Sequence, residues 1–143
     1  MKVTQITITL PHSSDQVADI AQILAGNGIN IRALSLTGEG GAQMLRLLVN
    51  DPNMAARILE DSGFPVDFTE VCVVETMDKP GGLASVLLVL QKAEIGVTYL
   101  YSFSKRSGET GLVILASDNL DSAIAVLTKY GVRVLTCDEV CSI

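Results

Sequence analysis

Hydrophobic and polar residues alternate near the start of the chain, where Ile6, Ile8 and Leu10 are separated by single polar residues. Because successive side chains of a strand point to opposite faces, this alternation predicts a β-strand with one buried face. From Val17 to Leu24 the apolar residues follow a helical spacing instead. This early change of period indicates a fold that mixes strands and helices.

The same succession of patterns occurs twice along the chain. The tripeptide Glu-Val-Cys at residues 70–72 recurs at residues 139–141, as part of a repeat that extends over both halves. A repeat of this length predicts two similar small domains, residues 1–70 and residues 71–143. The predicted strands are residues 5–10, 29–36, 44–49, a strand from 66, 71–77, 96–104, 111–116 and 132–137, and the predicted helices are residues 15–26, 52–63, 80–93 and 120–130.

Each half therefore has the predicted order βαββαβ. The expected fold class is α+β, with two ferredoxin-like domains in tandem whose antiparallel sheets carry both helices on one face. Residues 64–76 form a nearly continuous strand-like stretch, so no flexible linker is expected between the halves. The helix predicted around residues 83–90 is apolar on almost every side, which predicts burial on more than one side, with the other half or another chain as its second partner.

Composition and charge exclude several classes of function. The chain is 48% hydrophobic and 18% charged, which is typical of a globular protein, and its net charge is −6. Without a basic cluster we expect no nucleic-acid partner, and without an apolar run of about 18 residues or a signal peptide we expect no membrane partner. Three cysteines form no disulfide framework and are expected to be buried free thiols in a reducing cytoplasm.

The residues most able to carry chemistry lie between the first strand and the first helix of the second copy. Asp78 is followed by Lys79, Pro80 and two glycines before the apolar helix. Free amides at a helix start carry partial positive charge and favour a carboxylate, while Asp78 suits an ammonium group. The alternative is a tight turn whose glycines serve only the backbone.

In this context the loop resembles that of the ACT domain family, whose members bind amino acids and regulate metabolic enzymes. The family pattern is an acidic residue or Asn, a variable residue, Pro-Gly and an apolar residue, and Asp78, Pro80, Gly81 and Leu83 match it. Residues 28–31 also resemble the Gly-Ile-Asn-Ile entry to the second strand of the family. The resemblance covers almost the whole chain as two copies without a catalytic domain.

The resemblance implies a free amino acid bound at an interface between ACT units. Its carboxylate is expected at the amides of residues 81–83 and its ammonium group at Asp78 or at strand carbonyls. The matching loop of the first copy, residues 11–16, lacks Pro-Gly, so its contribution is expected to be smaller; there a serine caps the helix. The candidate ligand-binding residues are Asp78, Lys79, Pro80, Gly81, Gly82, Leu83, Leu100, Tyr101, Ser102, His12, Ser13 and Ser14.

Other residue sets suggest little chemistry. Tyr99, Tyr101 and Phe103 alternate along one predicted strand and share a face, either as sheet packing or as the wall of a pocket or dimer surface. His12 is the only histidine, so we expect neither a metal site nor a catalytic triad, and no cofactor. The acidic pair at residues 138–139 is expected to be solvated.

The sequence thus predicts a non-catalytic amino-acid sensor that forms a homodimer and regulates amino-acid metabolism. Its partners are expected to be a free amino acid and possibly an amino-acid metabolic enzyme. One alternative is a structural or interaction subunit of such an enzyme without a ligand of its own. Another is a small enzyme of the acylphosphatase kind, for which Lys79 is the one available phosphate-binding cation.

Overall fold

The computed structural model describes residues 1–11, 15–104 and 109–142. Within them the chain forms a mixed α+β structure. The strands are β1 (Val3–Pro11), β2 (Ile31–Glu39), β3 (Ala42–Val49), β4 (Asp67–Met77), β5 (Tyr99–Ser104) and β6 (Thr110–Ala116), and the helices are α1 (Gln16–Gly26), α2 (Pro52–Asp61), α3 (Gly82–Lys92), α4 (Leu120–Lys129) and α5 (Cys137–Cys141).

The chain divides into two compact units. The first, called the N-terminal unit, comprises Thr4–Thr69 with the end of the chain from Cys141, and the second, called the C-terminal unit, comprises Met1–Val3 with Glu70–Val140. The predicted strand from residue 66 and the predicted strand 71–77 are one continuous strand, β4. The domain boundary predicted between residues 70 and 71 lies inside this strand and stays a prediction.

In the N-terminal unit β3 pairs antiparallel with both β1 and β2. The alternation that predicted β1 has the expected consequence, since Ile6, Ile8 and Leu10 are buried in one cluster with Leu24 of α1 and Leu59 of α2. Both helices therefore cover the same face of these strands. The turn between β2 and β3 consists of only two residues, because β2 continues to Glu39 and β3 begins at Ala42.

In the C-terminal unit β6 pairs antiparallel with both β4 and β5. Its core places Cys72 and Val74 of β4 against Leu90 of α3 and Leu127 of α4. Burial raises the pKa of the Cys72 thiol to about 11. The predicted α+β class, with antiparallel strands and helices packed on one face, is confirmed for each unit.

The strand predicted for residues 132–137 is wrong. Val134 makes only a single bridge to Val74. After it the chain turns into α5, whose start is a capping box: the Thr136 amide donates to Glu139 Oε1 at 3.0 Å, and the Glu139 amide donates to Thr136 Oγ1 at 3.2 Å. This local signal ends the extended stretch. As a result Cys141, which occupies the same place as Cys72 in the repeated tripeptide, lies at the end of a helix, whereas Cys72 lies in β4.

The three cysteines form no disulfide bond, but they are not all buried as expected. Cys72 is buried, Cys141 is half-buried and Cys137 is exposed. The exposure of Cys137 follows from the same correction, because it is the first residue of α5 and not the last residue of an inner strand. The prediction of three buried thiols therefore holds for Cys72 alone.

The helix caps give a matched pair for a stability measurement. The Asp51 side chain accepts a hydrogen bond from the Met54 amide at 3.1 Å at the start of α2, whereas Asp15 at the start of α1 makes no such bond. We expect Asp51→Ala to lower the free energy of unfolding by about 1 kcal/mol, and Asp15→Ala to change it by less than about 0.5 kcal/mol. Urea unfolding of both variants checks this, and equal losses would contradict the assignment of the caps.

Candidate functional site

The predicted ligand loop connects β4 to α3 in the C-terminal unit. β4 ends at Met77 and α3 begins at Gly82, two residues later than the predicted start at Pro80. The Asp78 amide donates to the carbonyl of Glu109 at 3.1 Å, and the Gly82 amide donates to the carbonyl of Lys79 at 3.0 Å. The loop is thus a tight turn held by its own backbone at both ends.

The two glycines of the loop are required for different reasons. Gly81 has a φ of 86°, a left-handed conformation in which any other residue is strained. At Gly82 a Cβ atom would overlap the carbonyl oxygen of Met77 and lie 3.0 Å from its carbonyl carbon. The close approach that the sequence suggested for Gly82 is therefore made by the protein's own backbone.

The free amides at the start of α3 differ from those predicted. The Gly82 amide is bonded to Lys79, so it is not available to a carboxylate in this conformation. The first bond from within the helix back to its cap is donated by the Ser85 amide to the carbonyl of Gly81 at 3.0 Å. The amides of Leu83 and Ala84 precede that bond, and these are the groups that a helix start leaves for an anion.

A cavity of about 440 Å³, called the loop cavity here, opens between this loop and the strands β5 and β6. Phe103 and Leu112 contribute apolar wall, and Thr76 lies at the end of β4. The structure thus brings together five of the predicted site residues, which are Asp78, Lys79, Pro80, Leu83 and Ser102. One acidic residue, one basic residue, a serine hydroxyl and apolar side chains therefore line the same cavity.

A second cavity, called the helix cavity, has a volume of about 550 Å³ and borders the same loop. It is lined by the predicted residues Gly81 and Gly82 together with Arg133, which the sequence reasoning missed. Lys79 and Pro80 line both cavities. The two cavities therefore adjoin along the loop.

Arg133 joins β4 to the C-terminal helix. Its Nη1 donates to Glu75 Oε2 at 2.6 Å, and its Nη2 pairs with Glu139. The Thr136 amide and the Arg133 guanidinium hold the pKa of Glu139 below its usual range, and the hydrogen bond to Glu75 raises the pKa of Arg133. Glu139 keeps 36% of its side chain exposed, so its expected solvated position agrees with the structure. Its further role as a helix cap and ion-pair partner was missed, and Thr136-x-x-Glu139 was the signal that could have revealed it.

The comparisons with known proteins agree with this architecture. The family model of the ACT domain pair matches residues 1–141. The chain belongs to this family. No functionally curated protein matches the chain in sequence.

Solved structures similar to this ACT domain pair include one close relative. Protein BT0572 from Bacteroides thetaiotaomicron is 29% identical, with a TM-score of 0.93 over 100% of this chain and 98% of that one. The regulatory subunit of aspartate kinase from Thermus thermophilus, in its ligand-free form, is 16% identical, with a TM-score of 0.66 over 88% of this chain and 91% of that one. At that identity the likeness shows the fold alone.

Other predicted site residues of the ACT pair lie outside the two cavities. Leu100 is 37% exposed on β5 and lines neither cavity. Tyr101 stacks on Tyr99 with ring centroids 6.5 Å apart, as expected for residues that share a face. The remaining predicted residues, His12, Ser13 and Ser14, lie outside the described part of the chain. The helix cap next to them is Asp15.

Helix α3 is buried on one side only within this chain. Val86 and Leu90 are 5% and 1% exposed, whereas Leu83 and Leu88 are 40% and 49% exposed. The predicted burial of a second side is therefore not found within the described part of this chain, and burial by another chain stays a prediction. Apolar side chains remain open to solvent beside the loop cavity, since Leu83 is also part of its wall.

Two further properties bear on what the site can hold. Over residues 1–11, 15–104 and 109–142, no three His, Cys, Asp or Glu side chains come together as a metal site requires. In the same part of the chain, no helix combines the length and apolar character needed to span a membrane. What the loop does offer is two helix amides, an exposed carboxylate at Asp78 and an apolar wall.

Proposed function

We propose that this ACT domain pair is a non-catalytic sensor of a free amino acid, which binds at the loop cavity at an interface between ACT units and regulates amino-acid metabolism. The observation that carries the proposal is the convergence of Asp78, Lys79, Pro80, Leu83 and Ser102 on one cavity at the start of α3. The family assignment supports it, and so does a similar fold in a protein named as the regulatory subunit of aspartate kinase.

The proposed pose follows from the charges around the cavity. The α-carboxylate lies at the amides of Leu83 and Ala84, where the helix start carries partial positive charge. The α-ammonium group lies at the carboxylate of Asp78. The side chain of the ligand then packs on the apolar wall that Pro80 and Phe103 supply. Binding changes function only if two arrangements of the protein differ in affinity for the ligand.

A homodimer is part of the proposal. The exposed side chains of Leu83 and Leu88 are apolar surface that a second copy of the chain would bury. A second copy seated there would also close the loop cavity, because Leu83 belongs to both. The proposed partner of the dimer is an enzyme of amino-acid metabolism, and the free thiols fit the proposed location in a reducing cytoplasm.

A thermal-shift screen against the twenty free amino acids tests the proposed function. We expect one or two amino acids to raise the melting temperature clearly, since a ligand at 100 times its Kd adds about 2.7 kcal/mol to the free energy of unfolding. Asp78→Ala should weaken that ligand about tenfold or more, because it removes a hydrogen-bonded charge. The matched control is Asp118→Ala, which makes the same charge change two residues beyond the opposite end of β6.

The other outcomes of the screen are equally decisive. If no amino acid shifts the melting temperature, the sensor proposal is wrong and the structural or interaction subunit becomes the better explanation, because the exposed side of α3 then has no role in closing a ligand site. If Asp78→Ala and Asp118→Ala weaken the ligand equally, the ligand binds elsewhere.

A further inference from the structure

Helix α5 carries two cysteines four residues apart. Cys137 is the first residue of this short helix and Cys141 is the last. Side chains at this spacing are neighbours on one face of a helix. Cys137 is exposed and Cys141 is half-buried, so a small molecule in solution can reach the first thiol, and the second thiol lies on the same face of α5.

The three thiols of the chain differ in their surroundings. Cys141 is anchored, since its Sγ atom donates a weak hydrogen bond to the carbonyl of Asn50 at 3.7 Å and its carbonyl accepts one from Arg32 Nη2 at 2.8 Å. Cys72 is buried, and its raised pKa leaves little of the reactive thiolate at neutral pH. An accessible cysteine next to a second thiol is typical of cysteines that react reversibly with oxidants, and Cys137 with Cys141 is such a pair.

The two thiols of α5 cannot be joined while this helix is intact. A disulfide requires the two Cβ atoms to lie about 3.5–4.5 Å apart. Residues four apart on a helix keep their Cβ atoms about 5–6 Å apart, so a disulfide between Cys137 and Cys141 must deform the helix. Short helices are marginally stable by themselves, and one bond that such a change would break is that from the Val140 amide to the Thr136 carbonyl, at 3.1 Å.

Glu139 lies between the two cysteines and therefore depends on the helical form of α5. In that form Glu139 Oε1 accepts a hydrogen bond from the Thr136 amide, and its carboxylate pairs with Arg133. Arg133 also bonds to Glu75 and lines the helix cavity. Unwinding α5 would separate Glu139 from Arg133 and so change the charge beside this cavity.

We propose that Cys137 and Cys141 form a redox-modification site, which a low-molecular-weight disulfide such as oxidised glutathione converts to an intramolecular disulfide that unwinds α5. Disulfides in a reducing cytoplasm are usually transient and serve catalysis or redox sensing. A pair that is accessible on one side, and whose oxidation costs only a short helix, suits reversible sensing. This site goes beyond the proposed binding of an amino acid and does not depend on it.

The reaction consists of two thiol–disulfide exchanges. The thiolate of Cys137 attacks one sulfur of oxidised glutathione, whose S–S bond breaks, and one glutathione leaves and takes up the proton that Cys137 gave up. The thiolate of Cys141 then attacks the Cys137 sulfur of this mixed disulfide, and the second glutathione leaves with the proton of Cys141. The two protein thiols lose two electrons, which reduce one oxidised glutathione to two molecules of glutathione.

The experiment exposes wild type, Cys137→Ser and Cys141→Ser to oxidised glutathione, followed by alkylation in denaturant and mass spectrometry. We expect wild type to lose two hydrogen atoms and to keep one thiol for alkylation, that of Cys72. Cys141→Ser should stop at a mixed disulfide on Cys137, with one glutathione added. Cys137→Ser should react at least about tenfold more slowly than wild type, because its remaining thiols are less accessible. If Cys141→Ser fails to fold, Cys141→Ala takes its place.

Hydrogen exchange of single amides tests the unwinding of α5. We expect the Val140 amide to exchange at least about tenfold faster in the oxidised protein, because its bond to Thr136 is lost, and to recover when dithiothreitol reduces the disulfide. The matched control is the Ala55 amide, which makes the corresponding bond to the Asp51 carbonyl in the first turn of α2. Its exchange should be the same in both forms.

Each of the other outcomes overturns the proposal. Wild type that keeps three thiols for alkylation shows that the pair does not react with a small disulfide. Wild type that stops at the mixed disulfide, or that links two chains through Cys137, shows that Cys141 does not close the ring. A disulfide that forms between the two cysteines while the Val140 amide exchanges as slowly as before shows that oxidation does not unwind α5.

Discussion

Replacing Gly82 with alanine is expected to lower the free energy of unfolding by about 3 kcal/mol. The new Cβ atom would overlap the carbonyl oxygen of Met77, and the carbonyl carbon would be only 3.0 Å away. Both atoms belong to the backbone at the end of β4, so no flexible side chain can move aside. Either the end of β4 or the start of α3 must shift, and with it the hydrogen bond from Gly82 to Lys79.

Gly26→Ala is the matched control for this substitution. Gly26 is the last residue of α1, and a Cβ atom there would have no neighbour within 4 Å. We expect that variant to unfold within about 0.5 kcal/mol of wild type, or slightly above it, since alanine restricts the unfolded chain more than glycine does. Urea unfolding measures both. A Gly82→Ala protein as stable as Gly26→Ala would show that the loop and α3 are not packed as described.

The repeated pattern predicted most of the fold because most helices and strands are marked by signals in their own local sequence. Alternation marked β1, and α2 carries its own local start signal, since Asp51 caps the helix and Pro52 suits its first turn. Residues 132–137 were mispredicted because two local signals conflict in this stretch. The apolar residues there alternate as in a strand, but the capping box at residues 136–139 is a stronger local signal and turns the chain into α5.

The start of α3 was mispredicted because it depends on packing between residues that are not neighbours in the sequence. Proline suits the first turn of a helix, which favoured a start at Pro80. In the structure the residues from Asp78 to Gly81 instead form a turn, and the helix begins only where glycine can lie against the Met77 carbonyl. No local pattern in the sequence encodes that contact.

The candidate site was predictable as a motif and not as a set of contacts. The residues between Asp78 and Leu83 are contiguous, so their pattern could be read directly. Thr76 could not be singled out, because its position beside both cavities depends on how β4, β6 and α3 pack together. Arg133 and Glu75 are 58 positions apart, and only the folded sheet brings them together beside the loop.

Leu90→Ala is the other substitution with a large expected effect, and it links the core to the loop. Leu90 is 1% exposed and lies in the core of the C-terminal unit on α3, the helix whose first turn borders the loop. Removing its side chain leaves a cavity and should lower the free energy of unfolding by about 3 kcal/mol. Leu34→Ala on β2 is the control, because it removes a leucine side chain that is 55% exposed and is no part of the proposed dimer surface, and we expect a change below about 0.5 kcal/mol.

Ligand binding to the Leu90→Ala variant tests whether the affinity of the site depends on the position of α3. The amino acid found in the screen, present at 100 times the Kd measured for the variant, should restore about 2.7 kcal/mol and so offset most of the loss in Leu90→Ala. Urea unfolding with and without that amino acid measures the recovery. A recovery of this size in the free energy of unfolding can come only from ligand binding to the folded protein. It therefore requires that the loop keeps its binding conformation in the folded variant. A folded Leu90→Ala protein that the ligand does not stabilise at any concentration would show instead that the position of α3 in the core sets the affinity of the site.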